Sequence, residues 1–149
     1  MKPGQGCASL RENPRVDKTF LISYIPSVEW RVEYTDEFDA WWGKLSEDEQ
    51  VVVAAKVELL EKHGPSLPRP HSDVIVTSRH SNMKELRGKS GQNILRVLYA
   101  FDPRRTAILL IGGDKSGNDR WYEEFVPIAD RLFDEHLAVL KKGKTQRRK

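Results

Sequence analysis

At 149 residues and 38% hydrophobic, the chain is sized for one core of ordinary dimensions and not for two. Its charged fraction is 32%, its net charge +3 and its pI near 9.0, so it is only mildly basic and any case for a polyanionic partner rests on where the charges sit. One cysteine, Cys7, excludes a disulfide framework and a cysteine-based metal site; with no apolar run of eighteen residues and no secretory pattern, the expectation is a cytoplasmic protein with no membrane partner.

Residues 1–27 carry Pro3, Pro14 and Pro26 among scattered charges without a period, and read as a flexible N-terminal extension to a domain spanning 28–140. Either that extension is native, or translation starts at Val28 through a non-AUG codon. Trp30, Val32 and Tyr34 alternate with Arg31 and Glu33 as in a strand with one buried face. Thr35 or Asp36 then caps a short helix bearing Phe38, Trp41, Trp42 and Leu45. Ser46-Glu47-Asp48-Glu49 is a capping box that opens a second helix, running to about His63. Val53, Val57 and Leu60, flanked by Val52 and Leu59, form its apolar stripe, and Gly64-Pro65 ends it with a left-handed cap. Two helices in an antiparallel hairpin are expected.

A long connection follows, with Pro65, Pro68 and Pro70 and a short strand predicted over 74–77. Three strands at 83–87, 93–101 and 106–111 form an antiparallel meander, with turns at Gly88-Lys89-Ser90-Gly91 and Asp102-Pro103-Arg104-Arg105. After a polar turn through Asn118, Asp119 caps a last helix whose apolar side carries Trp121, Phe125, Ile128, Leu132, Phe133, Leu137 and Leu140, and which Pro127 should kink or split. Residues 141–149 carry only positive charge and read as a disordered basic tail. The fold class is α+β.

The meander is where the cations gather. Lys84, Arg87, Lys89, Arg96, Arg104, Arg105 and Lys115 face only Glu85, Asp102 and Asp114. Arg96 interrupts a strand that is apolar at both parities, so both its faces look covered. An unpaired charge there costs several kcal/mol or more, so it requires Glu85, backbone carbonyls, or a ligand phosphate gripped by the guanidinium fork.

The element order, with Met83-Lys84-Glu85-Leu86-Arg87, Leu95-Arg96-Val97-Leu98-Tyr99 and Gly113-Asp114-Lys115 at these spacings, resembles the RelE/ParE superfamily of bacterial toxins, in particular its HigB-like members of phage-derived type, over about residues 29–140. That resemblance implies a RelE-like fold, in which an N-terminal strand and helix hairpin pack on an antiparallel sheet beside a C-terminal helix. It also implies a type II toxin-antitoxin pair, ribosome-dependent cleavage of messenger RNA without a metal, and a HigA-like helix-turn-helix antitoxin as partner. The ParE branch acts on gyrase, so the alternative is a non-catalytic toxin or nucleic-acid-binding module.

Metal-free RNA cleavage requires the ribose 2′-hydroxyl to attack the adjacent phosphate, groups to move the proton, and cations for the added charge. Arg87 and Arg96 are the expected phosphate clamps, sharing a face if the hairpin register allows, and Lys115 is the third cation. For proton transfer the candidates are His71, His80, Tyr99 and Tyr122, with His80 and Tyr122 carried forward. Lys84, Lys89 and Arg120 are rim contacts for RNA. The four histidines, His63, His71, His80 and His136, lack metal-ligand spacing, so neither metal nor cofactor is expected. An acidic stripe of Asp119, Glu123, Glu124, Asp130, Asp134 and Glu135 either solvates the last helix or holds a basic antitoxin segment.

Overall fold

The computed structural model describes residues 29–147, with side chains through residue 143. The expected N-terminal extension, the Val28 start and the last two residues lie outside the described residues. In chain order the elements are β1 (Val32–Tyr34), α1 (Asp36–Lys44), α2 (Glu47–His63), β2 (Ser72–Val74), β3 (Lys84–Ser90), β4 (Asn93–Phe101), β5 (Ala107–Asp114) and α3 (Trp121–Arg147). The five strands form one sheet in the order β1-β5-β4-β3-β2. Pairing is antiparallel except for β1, which runs parallel to β5. This is the α+β, RelE-like architecture that the order of elements implied.

Both faces of β4 are covered, as its apolar residues at both parities require. On one face Phe38 and Trp42 of α1 and Val53, Val57 and Leu60 of α2 pack with Leu86, Leu95, Val97, Tyr99 and Leu109. On the other, Trp121, Val126, Ala129, Leu132 and Phe133 of α3 pack with Met83, Leu98, Ala100, Ile108 and Leu110. α1 lies against β5 and α2 against β3, so the two helices expected as a hairpin each serve a different strand.

The caps are local and legible. Thr35 closes α1 by accepting the Phe38 N–H at 3.0 Å, and Ser46 and Glu49 form the reciprocal capping box of α2. Gly64 ends α2 at φ +57°, where the Trp30 ring would collide with any Cβ.

Several boundaries differ from the sequence expectation. The short strand is Ser72–Val74 and not 74–77, because Ile75 alone of the later apolar run is buried while Val76 stays exposed. β3 continues through Gly88, Lys89 and Ser90, which pair with Leu95, Ile94 and Asn93, so the turn shrinks to Gly91-Gln92 with Gly91 at φ +58°. β5 likewise takes in Gly112 and Gly113. The turn before α3 is held by Asn118, whose side chain accepts the Arg120 N–H at 3.0 Å; Asp119 is not the cap. Pro127 lies inside a helix that is not split, and α3 runs past residue 140 to Arg147.

One irregularity positions the site. The register between β4 and β5 shifts between Leu98 and Tyr99, which pair with Ile111 and Leu109 and leave Leu110 as the extra residue. Thr35 satisfies its carbonyl, with Oγ1 donating at 2.6 Å. Beyond the bulge the parity of β5 is reversed, so Gly113, not Gly112, comes under α3 and lies opposite Arg96.

Candidate nucleic-acid interface

Arg87 and Arg96 are direct cross-strand partners, with Gly113 next in the row across β4. The parity requirement for the two guanidiniums is therefore met: they share the α3 face. α3 begins at Trp121, and its first turn brings Tyr122 to this row.

Arg96 is buried, and its side chain is held from three sides. Nη1 donates to the Leu95 carbonyl at 3.0 Å, Nε donates to the Tyr122 hydroxyl at 3.3 Å, and Nε stands 3.4 Å from Glu85 Oε1. Tyr122 in turn donates to that same carboxylate oxygen at 2.7 Å. Arg87 approaches the other oxygen of Glu85 at 3.9 Å. The Lys115 ammonium sits over the Tyr122 ring, 5.6 Å from its centroid, within cation–π range. Arg87 and Arg96 thus share one carboxylate, Glu85, while Lys115 meets only the Tyr122 ring, and the two guanidiniums face each other across the ladder as like charges, an arrangement that a further anion would relieve. Burial, and then the Glu85 carboxylate, push the Tyr122 hydroxyl above its ordinary value, with Arg96 opposing. Tyr122 is consequently a proton holder at neutral pH.

A groove of about 370 Å³ opens beside this row, lined by Lys56, Pro70, Arg87, Gly88, Lys89, Ile94 and Arg96. Lys89 reaches it from β3. Among the described residues no three His, Cys, Asp or Glu side chains come together to hold a metal ion, and no helix is long and apolar enough to cross a membrane.

Other expected residues lie elsewhere. His80 is not brought to the cluster: its Nε2 contacts Asp134 at 2.8 Å and its ring meets Phe133 edge-on. Asp134 is twelve residues beyond Tyr122 on α3, about 18 Å along the helix. Tyr99 faces the α1–α2 core, bonded to Ser72 at 2.6 Å, and burial pushes it up to about 12, so it is no proton acceptor. Lys84 is on the opposite face from Arg87 and donates to the Pro65 carbonyl at 2.8 Å. Arg120 is exposed and paired with Glu123 at 3.2 Å. Trp121 belongs to the core.

The acidic stripe of α3 is largely engaged within the molecule. Asp130 accepts from Ser78 and the Arg79 backbone, Asp134 binds Arg79 and His80, and Glu135 binds Arg131. One residue at the site, Lys56, escaped the sequence reading, and a second, Glu85, was read in only one of its roles. Glu85 was legible only as a counter-ion and not as the partner of Tyr122. Lys56 had a faint signal, a charge beside the Val53–Val57 stripe of α2.

Residues 40–134 match the family model described as "Phage derived protein Gp49-like (DUF891)". The chain is 43% identical over 125 residues to "Putative toxin HigB2" of Mycobacterium tuberculosis, covering 83% of this chain and 62% of the relative. It thus spans less than two thirds of that relative's length. It is 47% identical over 103 residues to "Putative toxin HigB3" of the same organism, covering 68% of this chain and 89% of that relative. No solved structure matches at a significant level. A family match over more than half of the chain, joined to the element order and the Arg96 row, leads to one conclusion: the chain belongs to the phage-derived Gp49-like family, the HigB-like branch of the RelE/ParE superfamily.

Proposed function

We propose that this protein is the toxin of a toxin-antitoxin pair and that it cuts messenger RNA on the ribosome. The observation that carries this is the gathering of Arg87 and Arg96 at the Glu85 carboxylate, with Tyr122 bonded to Arg96 and Glu85 and Lys115 over the Tyr122 ring. In the reaction the ribose 2′-oxygen bonds to phosphorus and the bond from phosphorus to the 5′-oxygen breaks, leaving a cyclic phosphate and a free 5′-hydroxyl. Arg96, held by Leu95 and Tyr122, meets the negative charge that builds on the phosphoryl oxygens, with Arg87 and Lys115 beside it. The 2′-hydroxyl loses one proton and the 5′-oxygen gains one; the Tyr122–Glu85 hydrogen bond is the relay through which that proton passes.

An antitoxin is expected to mask this cationic row or displace α3. A helix-turn-helix protein encoded beside the toxin fits that role. The test is to induce the wild-type chain, Arg96→Ala and Lys115→Ala separately, and map new 5′ ends on ribosome-bound messenger RNA. Wild type should arrest growth and produce cuts within reading frames, and both variants should lose the cuts while circular dichroism stays native. Fully toxic, folded variants would overturn the site. Intact messenger RNA with trapped gyrase–DNA complexes would overturn the reaction.

A further inference from the structure

The groove does not stop at Arg87. β2 pairs with β3 only from Lys84 to Leu86, and the Arg87 N–H is taken at 2.9 Å by the carbonyl of His71, the residue just before β2 begins. From there the groove passes over the edge of β3 to a wall made by Lys56 of α2 and Pro70.

Gly88 shapes that wall. A Cβ there would lie 2.7 Å from Val52 and 3.9 Å from Cγ and Cε of Lys56, so the lysine stem is laid along the glycine. Its ammonium stands 2.9 Å from His71 Nδ1. Among the described residues neither Lys56 nor His71 forms an ion pair with a carboxylate, whereas the neighbouring Arg69 is paired with Asp73 at 3.5 Å. Burial also lowers the Lys56 pKa, as expected for an ammonium without a counter-ion. The groove lining holds Lys56, Arg87, Lys89 and Arg96 and no acid at all. A half-buried ammonium whose partner among the described residues is an imidazole nitrogen is suited to take an anion.

We infer that Lys56 and His71 form a second phosphate subsite, across the β3 edge from Arg96, which holds the backbone of single-stranded RNA next to the scissile phosphate. The inference rests on the proposed RNA cleavage for its choice of ligand, but not on turnover. RNA lying over the edge would place one phosphate by Arg87 and Arg96 and a neighbouring one at Lys56 and the His71 ring that Lys56 contacts, and Lys89 lines the same groove. The subsite thereby sets the direction in which the strand is drawn across the sheet.

The experiment measures equilibrium binding of a short oligouridylate to the full chain across a salt series, off the ribosome, for wild type, Lys56→Met and His71→Gln. Lys56→Met keeps the stem against Gly88 and removes only the charge. We expect it to weaken binding about tenfold and to reduce the salt slope by about 0.7, the release of one counterion from a single strand. His71→Gln should weaken binding several-fold, and the His71 ring resonances of labelled wild-type protein should move on titration with the oligonucleotide. An unchanged slope in folded Lys56→Met, still His71 resonances, or no binding by wild type would each overturn the subsite. A loss of affinity for an acidic peptide but not for RNA would overturn it in favour of a protein-docking site. Slopes that fall as expected in a protein that cuts no messenger RNA would leave the subsite standing and remove the cleavage reaction instead.

Discussion

Gly113 and Trp121 compete for one space: a Cβ on the glycine would lie 2.6 Å from the indole nitrogen, which is buried and has no hydrogen-bond acceptor among the described residues. Gly113 is also the cross-strand partner of Arg96, so its missing side chain lets α3 begin directly over the cationic row. Gly113→Ala should therefore destabilise the fold by about 1–3 kcal/mol through overpacking, and it should misplace Tyr122, which follows Trp121. Urea denaturation followed by tryptophan fluorescence measures the first effect, and growth arrest on induction the second. A variant as stable and as toxic as wild type would show that this contact does not position the site.

Arg96→Lys keeps the charge and loses the fork. A single ammonium cannot replace the separate donations to Leu95 and Tyr122, so cleavage should fall about a hundredfold, with the circular dichroism spectrum unchanged. Retention of wild-type cleavage would mean that charge alone suffices at this position.

Tyr122→Phe removes the hydroxyl shared by Glu85 and Arg96 but retains the ring that meets Trp121 and Lys115. Leaving the buried Glu85 short of a donor should cost about 1–2 kcal/mol, and messenger RNA cleavage should be lost. Stability comes from chemical denaturation and cleavage from mapping of 5′ ends; an active Tyr122→Phe protein would exclude the Tyr122–Glu85 relay.

Asp102 gives the fold an acid-side limit. Burial would raise its pKa, but hydrogen bonds from His136, Arg104 and the Thr106 backbone hold it below the ordinary carboxylate range. The unfolded chain then takes up the proton more readily than the folded one. The Asp102 contribution is intact above about pH 4 and is lost as the pH falls below that value. Asp102→Asn should lower stability at neutral pH by on the order of 2 kcal/mol and flatten this acid-side loss. Denaturant midpoints measured between pH 7 and pH 3 provide the check.

Tyr99 sets the alkaline limit. Burial pushes it up to about 12 from an ordinary value of 10.0, so the folded chain holds the proton more tightly than the unfolded one. Its contribution is complete below about pH 10 and declines as the pH rises through the folded value. Tyr99→Phe should lose some stability at neutral pH with the Ser72 hydrogen bond, yet show a shallower decline above pH 10. Thermal unfolding across that range tests it.

Much of the fold was legible because its signals are local. The Ser46–Glu49 capping box, the Gly64 stop and the Asp102–Arg105 turn each depend on a few adjacent residues and are found where they were expected. The apolar residues at both parities of β4 required a cover on each face, and the chain supplies α1 and α2 on one side and α3 on the other. Arg96 within that strand required a counter-charge, and Glu85 supplies it.

What the amino-acid sequence determined by itself was thus the class of fold, the covered central strand and the need for an anion near Arg96, because desolvation and residue periodicity act wherever the chain happens to pack. Only the tertiary structure decided which groups meet there. The extra residue at Leu110 reverses parity and selects Gly113 over Gly112 to face α3. The loop carrying His80 is drawn to Asp134 by contacts more than fifty residues apart in sequence, away from Tyr122. Lys56 arrives from a helix on the other face, over a glycine that reads locally as part of a turn. Cross-strand register and the landing point of a loop are set by long-range packing, and no local pattern encodes them.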